Sequence, residues 1–165
     1  MKKIFLAAGL SLATVTVTFA QGNNDSDNPD VSSFTKSQFA TDFPDATNVH
    51  FANEKNFSEV SFTQEKEKIS AYYDDRNQLV GTIQKKAFDD LPENAKKNIQ
   101  KNYAGYTILD VVKFNDNESD GTELIQYGTS LDDGDNYFVE LKKDSKAIVV
   151  KVSLTGGVEF WTTMK

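Results

Sequence analysis

The chain contains no cysteine, and this absence excludes disulfide bonds, thiol catalysis and cysteine-ligated metal sites. Histidine is almost as scarce, because His50 is the only one, so there is no histidine cluster to bind zinc and no Cys-His pair. His50 lies between Val49 and Phe51 in a stretch with strand composition, which favours a structural role at the surface. The nine glycines occur singly or in one pair, and none forms a phosphate-binding loop. These absences argue against most enzyme classes.

Long apolar runs are also missing, except between Ile4 and Val17. Lys2 and Lys3 precede this run and the small-residue pattern Thr18-Phe19-Ala20 follows it, which is the order of a secretory signal peptide. The run is shorter than the roughly 20 residues that a transmembrane helix needs. We therefore expect cleavage near Ala20, no membrane insertion, and a mature chain that is periplasmic or secreted.

Positive charge is scarce in the mature chain. The full sequence has 18 basic and 25 acidic residues, and removal of Lys2 and Lys3 leaves a net charge of −9. Because phosphate contacts require clustered Lys and Arg, we expect no nucleic-acid partner. The acidity is local: the segment 115–136 has no basic residue and seven acidic ones, which are Asp116, Glu118, Asp120, Glu123, Asp132, Asp133 and Asp135.

Two parts of the chain, 39–80 and 99–158, repeat one pattern of apolar residues. The matched positions are first 60 residues apart, and from Val60 and Val139 onward they are 79 residues apart. The difference of 19 residues falls where the acidic segment 115–136 lies. Such repetition predicts two copies of one supersecondary unit, the second of which carries an acidic insertion.

The first unit is predicted to be one helix followed by strands. Ser33 can cap a helix in which Phe39 and Phe43 share one face, and Pro44 ends it because proline clashes with the preceding turn. Period-two alternation and intervening polar turns then predict strands at 49–53, 59–63, 69–73 and 80–87.

The second unit begins with a similar helix. Asp90 and Glu93 have capping-box spacing, Pro92 falls in the first turn, and Gly105 is suited to end the helix. Strands are predicted at 108–114, 137–142, 147–153 and 158–162. Each unit is therefore predicted to be α+β, a helix packed on an antiparallel sheet of three to four strands. The predicted boundaries are signal peptide 1–20, flexible polar tether 21–33, first unit 34–88, and second unit 89–165 with the insertion 115–136; whether the units share one sheet stays open.

The runs FPDATNVHF at 43–51 and AYYDDRNQL at 71–79 resemble the PepSY-like, beta-lactamase-inhibitor-like family of exported bacterial proteins. The resemblance extends over about 39–161 and implies a signal peptide followed by tandem helix-plus-sheet units. Phe51 stands where tryptophan is common in that family, and the long insertion is a second departure. The family has no catalytic residues to transfer, and the resemblance suggests inhibition of an exported hydrolase.

Carboxylates are plentiful, but acid–base catalysis needs one in an apolar site that raises its pKa, and most acids here fall in polar runs. Asp74 and Asp75 illustrate this, because Asp at a turn usually accepts hydrogen bonds from its own backbone. We therefore expect no catalytic residues, no enzyme activity and no cofactor.

The acidic insertion allows three interpretations. It could be a solvated loop, or a protein-binding finger in which 122–127 pairs with 111–114 as a projecting hairpin. The third is a calcium loop, since Asp116, Glu118 and Asp120 imitate the start of an EF-hand. Position twelve of such a loop would be Tyr127 rather than glutamate, which is unfavourable for calcium.

Aromatic residues add a weaker signal. Tyr72 is expected on the outward face of its strand, and Phe160 and Trp161 must point to opposite faces of theirs. An exposed aromatic could anchor a partner, while packing between the two units is the alternative. The candidate partner-binding residues are Asp116, Glu118, Asp120, Asp132, Asp133, Asp135, Tyr72 and Trp161.

The sequence thus favours a non-enzymatic exported binding module. It would act as an inhibitor of, or adaptor for, another exported protein such as a hydrolase. Its partner would be a protein or peptide in the cell envelope, and we expect the module itself to be a monomer without a bound metal. The alternative is a calcium- or small-ligand-binding periplasmic protein.

Overall fold

The computed structural model describes residues 31–54, 56–117, 124–131 and 134–164. The predicted signal peptide and most of the predicted tether therefore lie outside the described residues. The end of the predicted tether belongs to the folded part, which corrects the sequence interpretation: Val31 is buried, and the side chain of Ser32 accepts a hydrogen bond from the backbone N–H of Thr35 at 3.1 Å. Ser32, rather than Ser33, therefore caps the first helix.

Within the described residues the chain forms two α-helices and ten β-strands. None of these helices has the length and apolar character needed to cross a membrane. The elements are α1 Ser33–Asp42, β1 Thr47–Asn53, β2 Ser58–Gln64, β3 Glu67–Tyr73, β4 Leu79–Lys85, α2 Glu93–Asn102, β5 Thr107–Asp116, β6 Ile125–Gln126, β7 Thr129–Ser130, β8 Asn136–Lys143, β9 Lys146–Ser153 and β10 Val158–Met164.

The two predicted units share one sheet. Eight strands pair antiparallel in the order β1-β2-β3-β4-β5-β8-β9-β10, so four strands come from each half of the sequence. The halves join where β4 pairs with β5, with Ile83 opposite Phe114. Gly81 lies in this seam, and a Cβ there would stand 2.6 Å from the Phe114 ring and 2.9 Å from the Asn115 carbonyl oxygen. The α+β class is confirmed, and the expectation of three to four strands per sheet gives way to one sheet of eight.

The sequence repeat reappears in the burial of the matched residues. Phe39 of α1 and its counterpart Ile99 of α2 are both buried, and Val60 and Val139 are both fully buried in the sheet. Each helix packs on its own half of one sheet face, above a separate apolar cluster. The residues that repeat in the two halves are therefore core residues, and their burial is the main source of stability in each half.

The predicted capping box of α2 is wrong. Asp90 lies instead in a 3-10 turn, Phe88–Asp90, where its carboxylate accepts a hydrogen bond from the Ala87 N–H at 2.7 Å. The cap position of α2 is taken by Pro92, whose side chain has no acceptor to offer. Gly105 follows the helix with a φ of +85°, the left-handed conformation expected of a glycine there.

The described part of the insertion packs on the second face of the sheet. β6 and β7 form a two-stranded hairpin, and its flanking residues Leu124 and Leu131 are buried on the sheet beside Phe114 and Phe138. The predicted pairing of 122–127 with 111–114 is wrong, because β5 already has hydrogen-bonded neighbours on both sides, β4 and β8. The hairpin therefore lies over the sheet and does not extend it.

Candidate binding surface

Tyr72 is not an exposed anchor. Its exposed fraction is 8%, because the sheet face on which it lies is the one that the hairpin helps to cover. Burial, and next the carboxylate of Glu59, raise the pKa of the Tyr72 hydroxyl above its ordinary value. Strand alternation predicted the face of Tyr72 correctly but could not predict that this face is covered.

Phe160 and Trp161 behave differently. Phe160 is 57% exposed and is the more accessible member of the pair. Of these two aromatics, however, only Trp161 was among the predicted site residues. Trp161 is half-buried, packs edge to face on Phe138 with ring centroids 5.6 Å apart, and has the Lys151 ammonium 4.8 Å from its ring centroid. The register with β9 shifts between Phe160 and Thr162, so Trp161 occupies a bulge. Strand alternation indicates that one of the two aromatics is exposed, but it does not show which one.

β10 is an edge strand. It pairs with β9 and stands at the end of the strand order, so the backbone groups on its outer side have no neighbouring strand within the described sheet. Many proteins protect such edges with lysine, proline or charged residues. β10 contains no lysine, arginine or proline, and its one charged residue, Glu159, forms a 2.6 Å ion pair with Lys151.

On the hairpin side, an aromatic row runs from Tyr127 over Phe138 to Trp161. The centroids of Tyr127 and Phe138 are 6.5 Å apart. Among the described residues, neither the buried Tyr127 hydroxyl nor the buried Trp161 Nε1 has a hydrogen-bond partner. Burial, and next the carboxylates of Asp110 and Glu140, raise the pKa of Tyr127.

A small charged cluster adjoins Tyr127. Lys85 forms an ion pair with Asp110, with Nζ and Oδ1 2.5 Å apart, and Glu140 stands opposite Asp110 on the neighbouring strand. Burial is the main cause that raises the pKa of Glu140, and the Asp110 carboxylate adds to it. The hairpin thus borders carboxylates as well as apolar rings.

The two described acids of the predicted finger are structural. The Asp116 N–H donates to an Asp135 carboxylate oxygen at 3.0 Å, and the Gly134 N–H donates to Asp116 Oδ2 at 3.0 Å, so these bonds tie the two ends of the insertion together. Asp116 is also the last residue of strand β5. Within the described part of the chain, no three acidic or histidine residues are grouped to hold a metal ion. The other predicted acids, Glu118, Asp120, Asp132 and Asp133, lie outside the described residues.

Asp74 has the structural role that its turn position predicted. Its carboxylate accepts hydrogen bonds from the backbone N–H groups of Arg76 at 2.9 Å and Gln78 at 2.8 Å, and from Arg76 Nε at 2.9 Å.

His50 is half-buried on β1, where it pairs with Ser61.

No protein-family model and no curated protein matches the chain. Solved structures do match. A BLIP-like protein from Bacteroides fragilis aligns with a TM-score of 0.65 and 12% identity, covering 81% of this chain and 87% of its own. A DUF2874 family protein from Bacteroides uniformis aligns with a TM-score of 0.62 and 12% identity, covering 80% and 89%. A protein from Bacteroides eggerthii, described provisionally as periplasmic, gives 0.63 and 9%, covering 80% and 88%.

These similarities confirm the resemblance inferred from the sequence. The chain has the fold of the BLIP-like and DUF2874 proteins over about four fifths of its length. At this level of identity the likeness concerns the fold.

Proposed function

We propose that the mature chain is an exported, non-catalytic module that binds an extended segment of another protein in the cell envelope. The observation that carries this proposal is strand β10, which is an edge of the described sheet and has one aromatic residue on each sheet face. Phe160 lies level with Val150, which belongs to the core beneath α2, and Trp161 lies toward the hairpin.

Such an edge suits strand addition. An extended partner segment would form main-chain hydrogen bonds with the outer side of β10, and its alternating side chains would fall on the two faces of the sheet. Phe160 would contact one set of these side chains and Trp161 the other. Large aromatic side chains supply much of the binding energy in many interfaces.

The charge of the insertion indicates what the partner segment carries. The insertion joins β8 at Asn136, which lies opposite Ser153, next to the Val152–Val158 pair that begins β10. Its root is thus two strand spacings, about 10 Å, from the start of β10. The sequence of the insertion contains seven acidic residues, and their negative charge would attract a basic segment and orient it.

Within this proposal, an exported hydrolase is the partner class we favour. If the bound segment borders the hydrolase's substrate cleft, the acidic insertion would reach a basic cleft and the module would inhibit it. If the segment lies elsewhere, the module would act as an adaptor. Both roles use the same edge, and the fold shared with a BLIP-like protein supports a binding role.

The proposal is tested by capture from a cell-envelope extract of the source organism with immobilised mature protein. We expect a defined partner that wild type retains and Phe160→Ser loses. Leu154→Ser is the matched control, because Leu154 is also exposed, at 49%, but lies outside β10 in the turn that precedes it. Equal capture by Phe160→Ser and wild type would contradict the proposal.

The electrostatic part has its own variant. Replacing Glu118, Asp120, Asp132 and Asp133 by their amides removes four charges and keeps Asp116 and Asp135, which hold the insertion together. Capture by wild type should weaken as salt rises, and the neutralised variant should be less salt-dependent. If the two proteins showed identical salt dependence, the insertion would not be part of the binding surface.

A further inference from the structure

A groove with a volume of about 620 Å³ runs along one flank of α1, on the side opposite the hairpin. Its walls are α1 and the turn between β3 and β4, and it ends near Asn117. We propose that this groove binds a neutral saccharide. The site is separate from β10, since the groove lies on the first half of the sheet and β10 forms the edge of the second.

The rim of the groove carries an exposed aromatic ring. Phe34, in the first turn of α1, is 76% exposed, the largest exposure among the described large apolar residues. Keeping a phenyl ring in water has no packing benefit for the fold. Its flat face is suited to stack on the C–H side of a sugar ring, as aromatic side chains stack on other apolar faces.

Two amides of the groove are oriented by hydrogen bonds. Asn77 Oδ1 accepts hydrogen bonds from the Ser32 and Thr35 hydroxyls, both at 2.8 Å, so the Asn77 NH₂ group is left as a donor. Gln38 Nε2 donates to Asp42 Oδ1 at 2.9 Å, so the Gln38 carbonyl oxygen is left as an acceptor. A hydroxyl group both donates and accepts, and a preset donor and acceptor match it.

Asp42 adds an oriented carboxylate. The buried Tyr73 hydroxyl donates to Asp42 Oδ2 at 3.0 Å, and burial together with this carboxylate raises the pKa of Tyr73. Each carboxylate oxygen has a second lone pair, so Asp42 can still accept hydrogen bonds from a ligand. It is therefore a rigid acceptor at the inner wall of the groove.

The charge of the groove disfavours an anionic ligand, because its lining contains two carboxylates, Asp42 and Asp74, and one guanidinium. Its one basic side chain, Arg76, is paired with Asp74 at 2.9 Å, which leaves no excess cation for a phosphate or carboxylate ligand. Only Leu79 and Val80 add apolar surface to that of Phe34, which is too little for a lipid tail. The remaining chemistry, amides, hydroxyls and the Asp42 carboxylate around one aromatic ring, is that of a polyol site.

The groove extends beyond one cavity. A second depression of about 380 Å³ shares Asp42, Leu79 and Asn117 with the first and continues to Thr82 and Asn115. Both volumes lie within the roughly 300–1,000 Å³ of small-molecule sites. We therefore assign a disaccharide or a longer neutral glycan.

The test is an NMR titration of the mature protein with maltose, cellobiose and diacetylchitobiose, and with triglycine and inorganic phosphate as contrasting probes. At least one disaccharide should shift the backbone amides of α1 and of 76–79 while those of β10 stay in place. No shift with any disaccharide, or equal shifts with triglycine or phosphate, would overturn the proposal.

Two variants sharpen this test. Phe34→Ala should weaken disaccharide binding about tenfold, because the stacking face is lost, while Phe160→Ala should not affect it. Asn77→Asp keeps the acceptor for Ser32 and Thr35 and tolerates the φ of +64° at that position, but it loses the donor. Binding about tenfold weaker with an unchanged melting temperature is expected. Wild-type affinity in both variants would contradict the site.

Discussion

Tyr127 and Tyr73 have buried hydroxyl groups with opposite surroundings. The Tyr73 hydroxyl donates to Asp42, whereas the Tyr127 hydroxyl has no hydrogen-bond partner among the described residues. A buried polar group without a partner costs free energy that a satisfied one does not. The two residues therefore give a matched pair for measuring what the hairpin contact contributes.

We predict that Tyr127→Phe raises the free energy of unfolding by about 1 kcal/mol, because it removes an unsatisfied hydroxyl and keeps the ring on Phe138. Tyr73→Phe should lower it by about 2 kcal/mol, since a hydrogen bond to a carboxylate is lost. Urea denaturation of both variants measures these changes. A loss in Tyr127→Phe as large as that in Tyr73→Phe would mean that the hydroxyl of Tyr127 is bonded in solution.

Glu140 predicts a pH dependence. Its pKa is raised in the fold, mainly by burial and also by Asp110, so the folded state binds its proton more tightly than the unfolded state does. Its contribution to stability is present below the ordinary value of 4.5 and is lost as pH rises through the raised pKa. Glu140→Gln should therefore be more stable than wild type at neutral pH, with a gap that closes in acid. Thermal unfolding of wild type and Glu140→Gln between acidic and neutral pH tests this prediction. A variant less stable than wild type at neutral pH would contradict it.

At the scale of elements, the turn between β3 and β4 depends on one carboxylate. Asp74 is 7% exposed and bonds two backbone N–H groups, whereas the neighbouring Asp75 is exposed. Asp74→Ala should cost about 2 kcal/mol of unfolding free energy, because both N–H groups lose their partner. Asp75→Ala should stay within about 0.5 kcal/mol. Equal effects in chemical denaturation would show that the turn is held by other groups.

An element could be predicted where the residues of that segment alone determine its structure, and not where the structure depends on residues far along the chain. Strand alternation and the repeat located the eight strands of the main sheet to within a few residues. The predicted pairing of the hairpin was wrong because the composition of 122–127 indicates a strand but not the strand with which it pairs. β5 already has a neighbouring strand on both sides. The predicted exposure of Tyr72 was wrong for the same reason, since the buried cluster that contains Tyr72 also includes Leu124 and Leu131, which lie far along the chain.

At the scale of the whole molecule, the described residues form one eight-stranded sheet with two helices on one face and a hairpin on the other. The candidate surface could be predicted only in part. Trp161 was among the predicted residues, but the importance of β10 follows from strand order, which the sequence pattern left open. The order places β1 and β10 at the two ends of the sheet and so makes β10 an edge.

The most direct test of the central claim is amide hydrogen exchange on the mature protein with and without its captured partner. If a partner segment adds to the sheet, the outer backbone N–H groups of β10 become hydrogen-bonded, and their exchange should slow. The amides of β1, the edge at the other end of the sheet, serve as the internal control and should keep their exchange rates. Protection confined to β1 or to the helices, with β10 unchanged, would contradict the account.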